Sequence, residues 1–217
     1  MTWKTRYGAG AVHVYRALID PLLRTLRPKI VHLCREAGAA RVLDIATATG
    51  DQCRRLGRVG IQATGLDLSE EMVSTARRID GRNVRYVRGS ACALPFDPAS
   101  FDAALLILAL HEHSEEERTA MLREAARVVG PDGALIVADF QPPRHPTFHV
   151  PWQVIRSIES VAGQEHRTGF HDFVARGGLD GLIERHELAV IQRVPSHFGT
   201  IGIARIRCET ASSPTAG

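Results

Sequence analysis

The chain has 217 residues, of which 44% are hydrophobic and 24% charged, proportions that suit one globular domain with a sizeable core. A net charge of +3 with no block of like charge argues against a nucleic-acid arm, and four scattered cysteines (Cys34, Cys53, Cys92, Cys208) without C-x-x-C spacing argue against a disulfide framework or a zinc site. The N-terminus lacks the apolar core of a signal peptide and there is no long uncharged apolar run, so a cytoplasmic protein without an integral membrane segment is expected.

Residues 11–37 are expected to form two helices. Val14, Leu18, Ile19, Leu22 and Leu26 recur at helical spacing, while Pro21 and Pro28 punctuate them, and Pro28 suits a first turn. Next comes RVLDIATATGD, Arg41 to Asp51, in which an apolar run around Asp44 passes through small residues and opens a helix. That pattern is strand, tight turn, helix. A second apolar run ends in Asp67, 23 positions after Asp44, near the ~20-residue spacing at which a βαβ unit sets an acid beside a ribose. Ser69 is expected to cap a helix beginning at Glu70, and residues 84–87 read as a third strand.

The first turn carries one glycine, Gly50, where a dinucleotide fingerprint needs G-x-G-x-x-G. Asp44 would repel a pyrophosphate but attract a ligand carrying an ammonium and a sulfonium, which implies S-adenosylmethionine (SAM), with S-adenosylhomocysteine as product. Taken singly, Asp44 could instead cap its own turn and Asp67 could be an Asx cap ahead of Ser69.

Downstream, RGSACALPFDPASFD leads into a fourth strand over Ala103 to Leu108, apolar enough to be covered on both faces. Ser114 and Glu117 form a capping box that opens a helix to about Val128, and a Pro-Asp-Gly turn precedes a fifth strand ending at Phe140. Pro142, Pro143 and Pro146 make a stiff connector, residues 150–161 read as a helix, and Gly177 and Gly178 precede a short helix from Leu179 to Arg185. Two β-rich runs, Leu188 to Val194 and Thr200 to Arg207, are expected to close the sheet as a hairpin, and the ASSPTAG tail is expected to be disordered.

Two blocks carry a resemblance. Asp44, Ala46, Thr49, Gly50 and Asp51 match D-x-A-x-G-T-G-D, and Gly89, Ala91, Leu94, Pro95, Phe96, Ser100, Phe101 and Asp102 match G-D-A-x-x-L-P-F-x-x-x-S-F-D at the same spacing. On these residues the chain resembles class I SAM-dependent methyltransferases, nearest the ubiquinone/menaquinone-methyltransferase-like (methyltransferase type 11) branch. The resemblance implies an α/β, Rossmann-like doubly wound sheet of seven strands, mostly parallel with a C-terminal antiparallel hairpin and helices on both faces. It divides the chain into a helical lid over residues 1–40, a methyltransferase domain over 41–208 and a tail over 209–217. Cofactor contacts are implied at Tyr7 in the lid, at Asp44, Ala46, Thr49 and Gly50 in the first turn, at Asp67, Leu68 and Met72 after the second strand, at Ser90 and Ala91 beside the adenine, and at Leu108. Two positions depart from the pattern: Ala48 replaces a glycine, at a cost of about 1–2 kcal/mol if the backbone there is left-handed, and Ser90 replaces an acid.

In open α/β sheets ligands lie outside the carboxyl ends of the strands, so the acceptor is expected over the fourth and fifth tips, walled by His111, His113, His145, His149 and Trp152. A neutral histidine, His111 or His113, is the natural base for an acceptor that must lose a proton. The H-x-H pair also invites a metal, but two ligands are too few for a tetrahedral site, and no metal is expected. The expected activity is methyl transfer to a small, lipophilic acceptor: a quinone-like ring carbon, a hydroxyl or a lipid amine. The alternative is a catalytically decayed SAM-binding regulator or partner subunit of the same fold, motivated by Ala48 and Ser90. Nucleic acid is not an expected partner, because LALHEH stands where base-amino methyltransferases carry an Asn/Asp-Pro-Pro-Tyr/Phe loop. Peripheral membrane contact stays open, as do monomer and homodimer.

Overall fold

A computed structural model describes residues 23–79, 81–142 and 164–208. In chain order the elements are α1 (Leu26–Glu36), β1 (Arg41–Ile45), α2 (Asp51–Arg58), β2 (Gln62–Asp67), α3 (Glu70–Arg77), β3 (Val84–Arg88), β4 (Ala103–Ile107), α4 (Glu115–Val129), β5 (Ala134–Phe140), α5 (Gln164–Ala175), α6 (Gly178–Arg185), β6 (Val190–Ser196) and β7 (Ile201–Arg207). The sheet runs β3-β2-β1-β4-β5-β7-β6. Strands β1 to β5 are parallel, and β7 is antiparallel to both β5 and β6. This is the expected seven-stranded, doubly wound sheet.

Strand position follows composition. All seven residues of β5 are buried, as befits a strand covered on both faces, whereas β6 alternates between exposed and half-buried residues and carries Pro195, which only an edge tolerates. The core gathers Leu43, Ile45, Leu105 and Leu106 from the sheet with Leu26, Ile30 and Leu33 of α1, so this part of the first 40 residues packs on the sheet. Each such side chain contributes roughly 1.5–3 kcal/mol by leaving water.

Strand order reverses between β1 and β4: β2 and β3 lie to one side of β1, and β5 lies beyond β4. Ile45 is level with Leu106, so the loops leaving β1 and β4 rise side by side at this switch point. The opposite end of the same pair is fastened by Asp102, which accepts from the backbone N–H groups of Ala40 and Arg41 (2.9 and 2.7 Å) and from the Arg41 guanidinium. Asp102, part of the second sequence block, is therefore an architectural residue. So is the Leu94-Pro95-Phe96 loop: Glu124 accepts from the Leu94 N–H, while Arg127 donates to the carbonyls of Leu94 and Phe96.

One element differs from expectation. Residues 164–175 were not expected to be helical, yet they form α5, with Phe170 and Phe173 fully buried. The segment has few apolar residues and a central glycine, so its period is weak; tertiary contact supplies what propensity does not. A side chain at Gly169 would come within 2.6 Å of the Glu112 carbonyl oxygen, so only glycine lets α5 lie against the loop after β4. The expected helices before residue 23, the lid contact Tyr7, the helix at 150–161 with His145, His149 and Trp152, and the tail all lie outside the described residues.

Candidate active site

The turn between β1 and α2 is held in an unusual backbone. Ala46, Ala48 and Gly50 all have positive φ (59°, 50° and 76°), so each position where the sequence pattern calls for a small residue is left-handed. Only Gly50 meets this without cost, and it is also sterically required, because the Tyr86 ring fills the space a Cβ would take. Leu108, at the head of the neighbouring β4 loop, is left-handed as well (φ 50°). Non-glycine residues in this region cost on the order of 1–3 kcal/mol and persist where surrounding structure demands them. Three of the seven such residues among those described, Ala46, Ala48 and Leu108, lie at the adjoining tips of β1 and β4.

Asp44 sits beneath this turn rather than on its surface. It is 3% exposed, accepts from the Thr47 hydroxyl at 2.5 Å, and has the Cys53 thiol at 3.6 Å. Burial pushes its carboxyl up to about 6 against the opposing pull of those two donors and the Arg27 charge. Asp44 is thus enclosed beneath the turn, with its oxygens turned to side chains of the chain itself. Thr49 is also buried, with its carbonyl accepting from Arg54 at 2.8 Å.

Asp67, at the tip of β2, joins the two turns. Its Oδ2 accepts from the Ala48 N–H at 2.8 Å and its Oδ1 from the Ser69 N–H at 2.9 Å. Burial raises its pKa; the two N–H groups oppose this, and the charge of Glu112 adds to the rise. The Asx cap considered for Asp67 is present in its bond to the Ser69 N–H. Ser69 caps α3 through the Met72 N–H as expected. Leu68 is 43% exposed, whereas Met72 is buried. The Ser90 hydroxyl accepts from the Cys92 N–H at 3.2 Å, and Ala91 is half-buried next to it.

On the other side of the switch point, His111 and His113 part company. They lie in a turn-rich loop after β4, not on a strand. His113 Nδ1 lies 3.2 Å from Glu117, the same carboxylate that accepts the Ser114 N–H in the capping box of α4. His111 turns inward, 3% exposed, with Nδ1 2.8 Å from Asp139 and the edges of Phe140 and Phe170 around its ring (centroids 4.7 and 6.0 Å). Asp139 was missed in the sequence, although its signal was present: like Asp44 and Asp67, it is an acid at the end of an apolar strand.

The loop is clamped by Arg118, also unforeseen. This fully buried guanidinium donates to the carbonyls of Leu110 (3.0 Å) and Gly169 (2.8 Å), to Asp172 and to Glu115, and lies over the Phe173 ring. It thereby ties α5 to the residue preceding His111.

One orphan bears on what the switch point could hold. Gln52, the second residue of α2, is buried with neither amide atom hydrogen-bonded among the described residues. An unsatisfied buried amide costs roughly 1–3 kcal/mol. A ligand carrying both donors and acceptors at the head of α2, as the amino-acid part of SAM does, fits this arrangement.

Comparison with known proteins agrees. Residues 42–133 match the family model of a methyltransferase domain. The demethylmenaquinone methyltransferase of Thermus thermophilus is 34% identical over 133 residues, 59% of this chain and 60% of that one. The chain thus spans under two thirds of the length of this relative. Among solved structures, a Pyrococcus horikoshii protein aligns with 90% of this chain and 98% of its own length at TM-score 0.67 and 17% identity. The mitomycin 7-O-methyltransferase MmcR aligns with 94% of this chain and 60% of its own length at TM-score 0.71 and 19% identity. At such identities the two structures speak for the fold. The strand order, the left-handed turn and the acids of the first two strands agree with the fold of SAM-dependent methyltransferases, and residues 42–133 carry a methyltransferase domain.

Proposed function

We propose that this protein transfers the methyl group of SAM to a small, lipophilic, ring-bearing acceptor, with a quinone-like ring as the favoured class. The observation that carries the reading is the juxtaposition, at one switch point, of a strained turn over two acids with a buried His111–Asp139 pair walled by Phe140 and Phe170. The relative named demethylmenaquinone methyltransferase supports the quinone-like class.

Bound SAM supplies a methyl group already activated by its sulfonium, so alignment with the acceptor provides much of the catalysis. The chain's own residues divide the remaining work. Asp67, fixed by the N–H groups of Ala48 and Ser69, offers its remaining acceptor capacity to ribose hydroxyls. Leu68 and Ala91 give the adenine an apolar edge. Asp44, below the turn, favours a positive charge above it. Across the switch point, His111 takes the proton an acceptor hydroxyl must lose, and the aromatic edges of Phe140 and Phe170 exclude water from that transfer. His113, already engaged by Glu117, serves the loop rather than the proton.

The test is methyl transfer from deuterium-labelled SAM to a reduced, short-chain 2-prenyl-naphthoquinone and to a quinone and lipid extract, read by mass spectrometry. A labelled methyl on the naphthoquinone is expected. SAM binding in calorimetry with no labelled product from any acceptor would instead establish the decayed binding protein. Absence of SAM binding at millimolar ligand would end both readings.

A further inference from the structure

Asp139 is absent from the set of residues that the sequence pattern assigns, yet it is the most completely engaged carboxylate beside the site. Its Oδ2 accepts from the backbone N–H groups of Leu110 (2.9 Å) and His111 (3.3 Å), and its Oδ1 from the backbone N–H of Phe140 (2.7 Å), while His111 Nδ1 lies 2.8 Å from Oδ1. The carboxylate is wholly buried.

This census determines where a proton can sit. Three of the four neighbours are backbone N–H groups, which can only donate, and between them they engage both oxygens. For Asp139 to donate to Nδ1 it would have to carry a proton on an oxygen already accepting from Phe140. The arrangement that satisfies all four contacts has Nδ1–H donating to Oδ1. In a neutral imidazole so oriented, the lone pair is on Nε2, on the far side of the ring. The two backbone N–H groups from residues 110 and 111 hold the loop at the same carboxylate, so one side chain sets both the position of His111 and its tautomer.

We infer that Asp139 is a positioning residue that locks His111 in its Nδ1–H tautomer and so makes Nε2 the proton-accepting atom. This inference rests on His111 being the base, as proposed above. Asp139 itself does not touch the acceptor, and no proton passes to it: the acceptor's proton goes to Nε2, and the resulting imidazolium is stabilised by the Asp139 carboxylate.

The test reads the tautomer directly. Long-range ¹⁵N–¹H spectra of histidine-labelled protein at pH 8, with His111→Gln to assign the signal, are expected to show His111 protonated on Nδ1. In Asp139→Asn the side-chain carbonyl can still accept from the Leu110 and His111 N–H groups while its NH₂, at the cost of the Phe140 contact, faces Nδ1, so the proton should move to Nε2. Turnover of the reduced naphthoquinone probe should then fall about 10²- to 10⁴-fold, with KM for SAM changed less than threefold. A wild-type His111 protonated on Nε2 would overturn the inference outright, and this measurement stands even if Asp139→Asn does not fold. An Asp139→Asn protein with unchanged tautomer, or with unchanged kcat while His111→Ala is inactive, would remove Asp139 and leave the base in place. Full kcat in His111→Ala would remove the base reading itself, whatever the spectra show.

Discussion

The two sides of the switch point are built from contacts of different range. On the β1–β2 side, Asp67 bonds the N–H of Ala48, 19 residues earlier, and of Ser69, two residues later, and Asp44 bonds Thr47, three residues on. On the β4–β5 side, Asp139 reaches back 28 and 29 residues to His111 and Leu110, and Arg118 reaches 51 and 54 residues forward to Gly169 and Asp172. On the function proposed above, the cofactor would be held by a local, repeatable motif, and the acceptor by a site assembled from distant pieces. The first side is joined by shorter-range bonds; the second depends on long-range buried polar joints.

The sharpest way to break this contrast is to cut the joint. Arg118→Met would leave the carbonyls of Leu110 and Gly169 and the carboxylate of Asp172 without their buried donor. Breaking one partner out of such a buried arrangement costs about 3–5 kcal/mol. Denaturant unfolding should show that loss, and hydrogen exchange should rise first across residues 164–175. SAM affinity by calorimetry should fall less than tenfold, because none of the bonds lost belongs to the β1–β2 side. Equal exchange changes around Asp44 and across α5 would mean that the two sides are one cooperative unit.

The same difference in range decides what could be read beforehand. Asp44, Gly50 and Asp67 were legible because a strand, its turn and its terminal acid are contiguous, and the hydrophobic period places them without any tertiary knowledge. The sheet and its antiparallel end were legible for the same reason. Arg118 was not: on a helix rich in charge it reads as a solvated residue, and only the arrival of α5 encloses it. The helicity of α5 depends in turn on Gly169 fitting against Glu112, a steric match between distant segments that leaves no periodic trace. His111 was found by residue type, but its separation from His113 depends on the β4 loop turning at left-handed Leu108, and a leucine does not advertise that conformation.

A second, smaller test concerns charge on the cofactor side. Burial raises Asp44 from an ordinary 3.8 to about 6 in the folded chain. A carboxyl whose pKa is higher folded than unfolded contributes stability that is fully present below the unfolded value and lost as pH rises through the folded one. Asp44 therefore weighs against the unliganded fold at neutral pH, on the order of 1–3 kcal/mol. Asp44→Asn, which keeps an acceptor for the Thr47 hydroxyl, should raise unfolding free energy at pH 7.5 and leave it nearly unchanged at pH 4. SAM affinity should move the other way, weaker in the variant at pH 7.5 and, in wild type, weakening as pH falls through about 6. Pale or absent opposition between the two measurements would mean that Asp44 is only a turn residue.

The smallest expected effect addresses strain itself. Ala48 and Gly50 share a left-handed backbone in one turn, yet replacing each by the other type should have opposite results. In Ala48→Gly the folded state loses a left-handed methyl, worth about 1–2 kcal/mol, while the unfolded chain gains freedom worth roughly 0.4–1 kcal/mol. The net is a stabilisation of about 0.5–1 kcal/mol, with the N–H to Asp67 intact and SAM affinity equal or better. Gly50→Ala adds the same methyl where the Tyr86 ring already stands, so it should destabilise by more than 1 kcal/mol. Denaturation curves on the two variants check the signs. If Ala48→Gly were destabilising, the left-handed turn would be favoured by contacts of the alanine methyl, and the cofactor side would be as dependent on side-chain packing as the acceptor side.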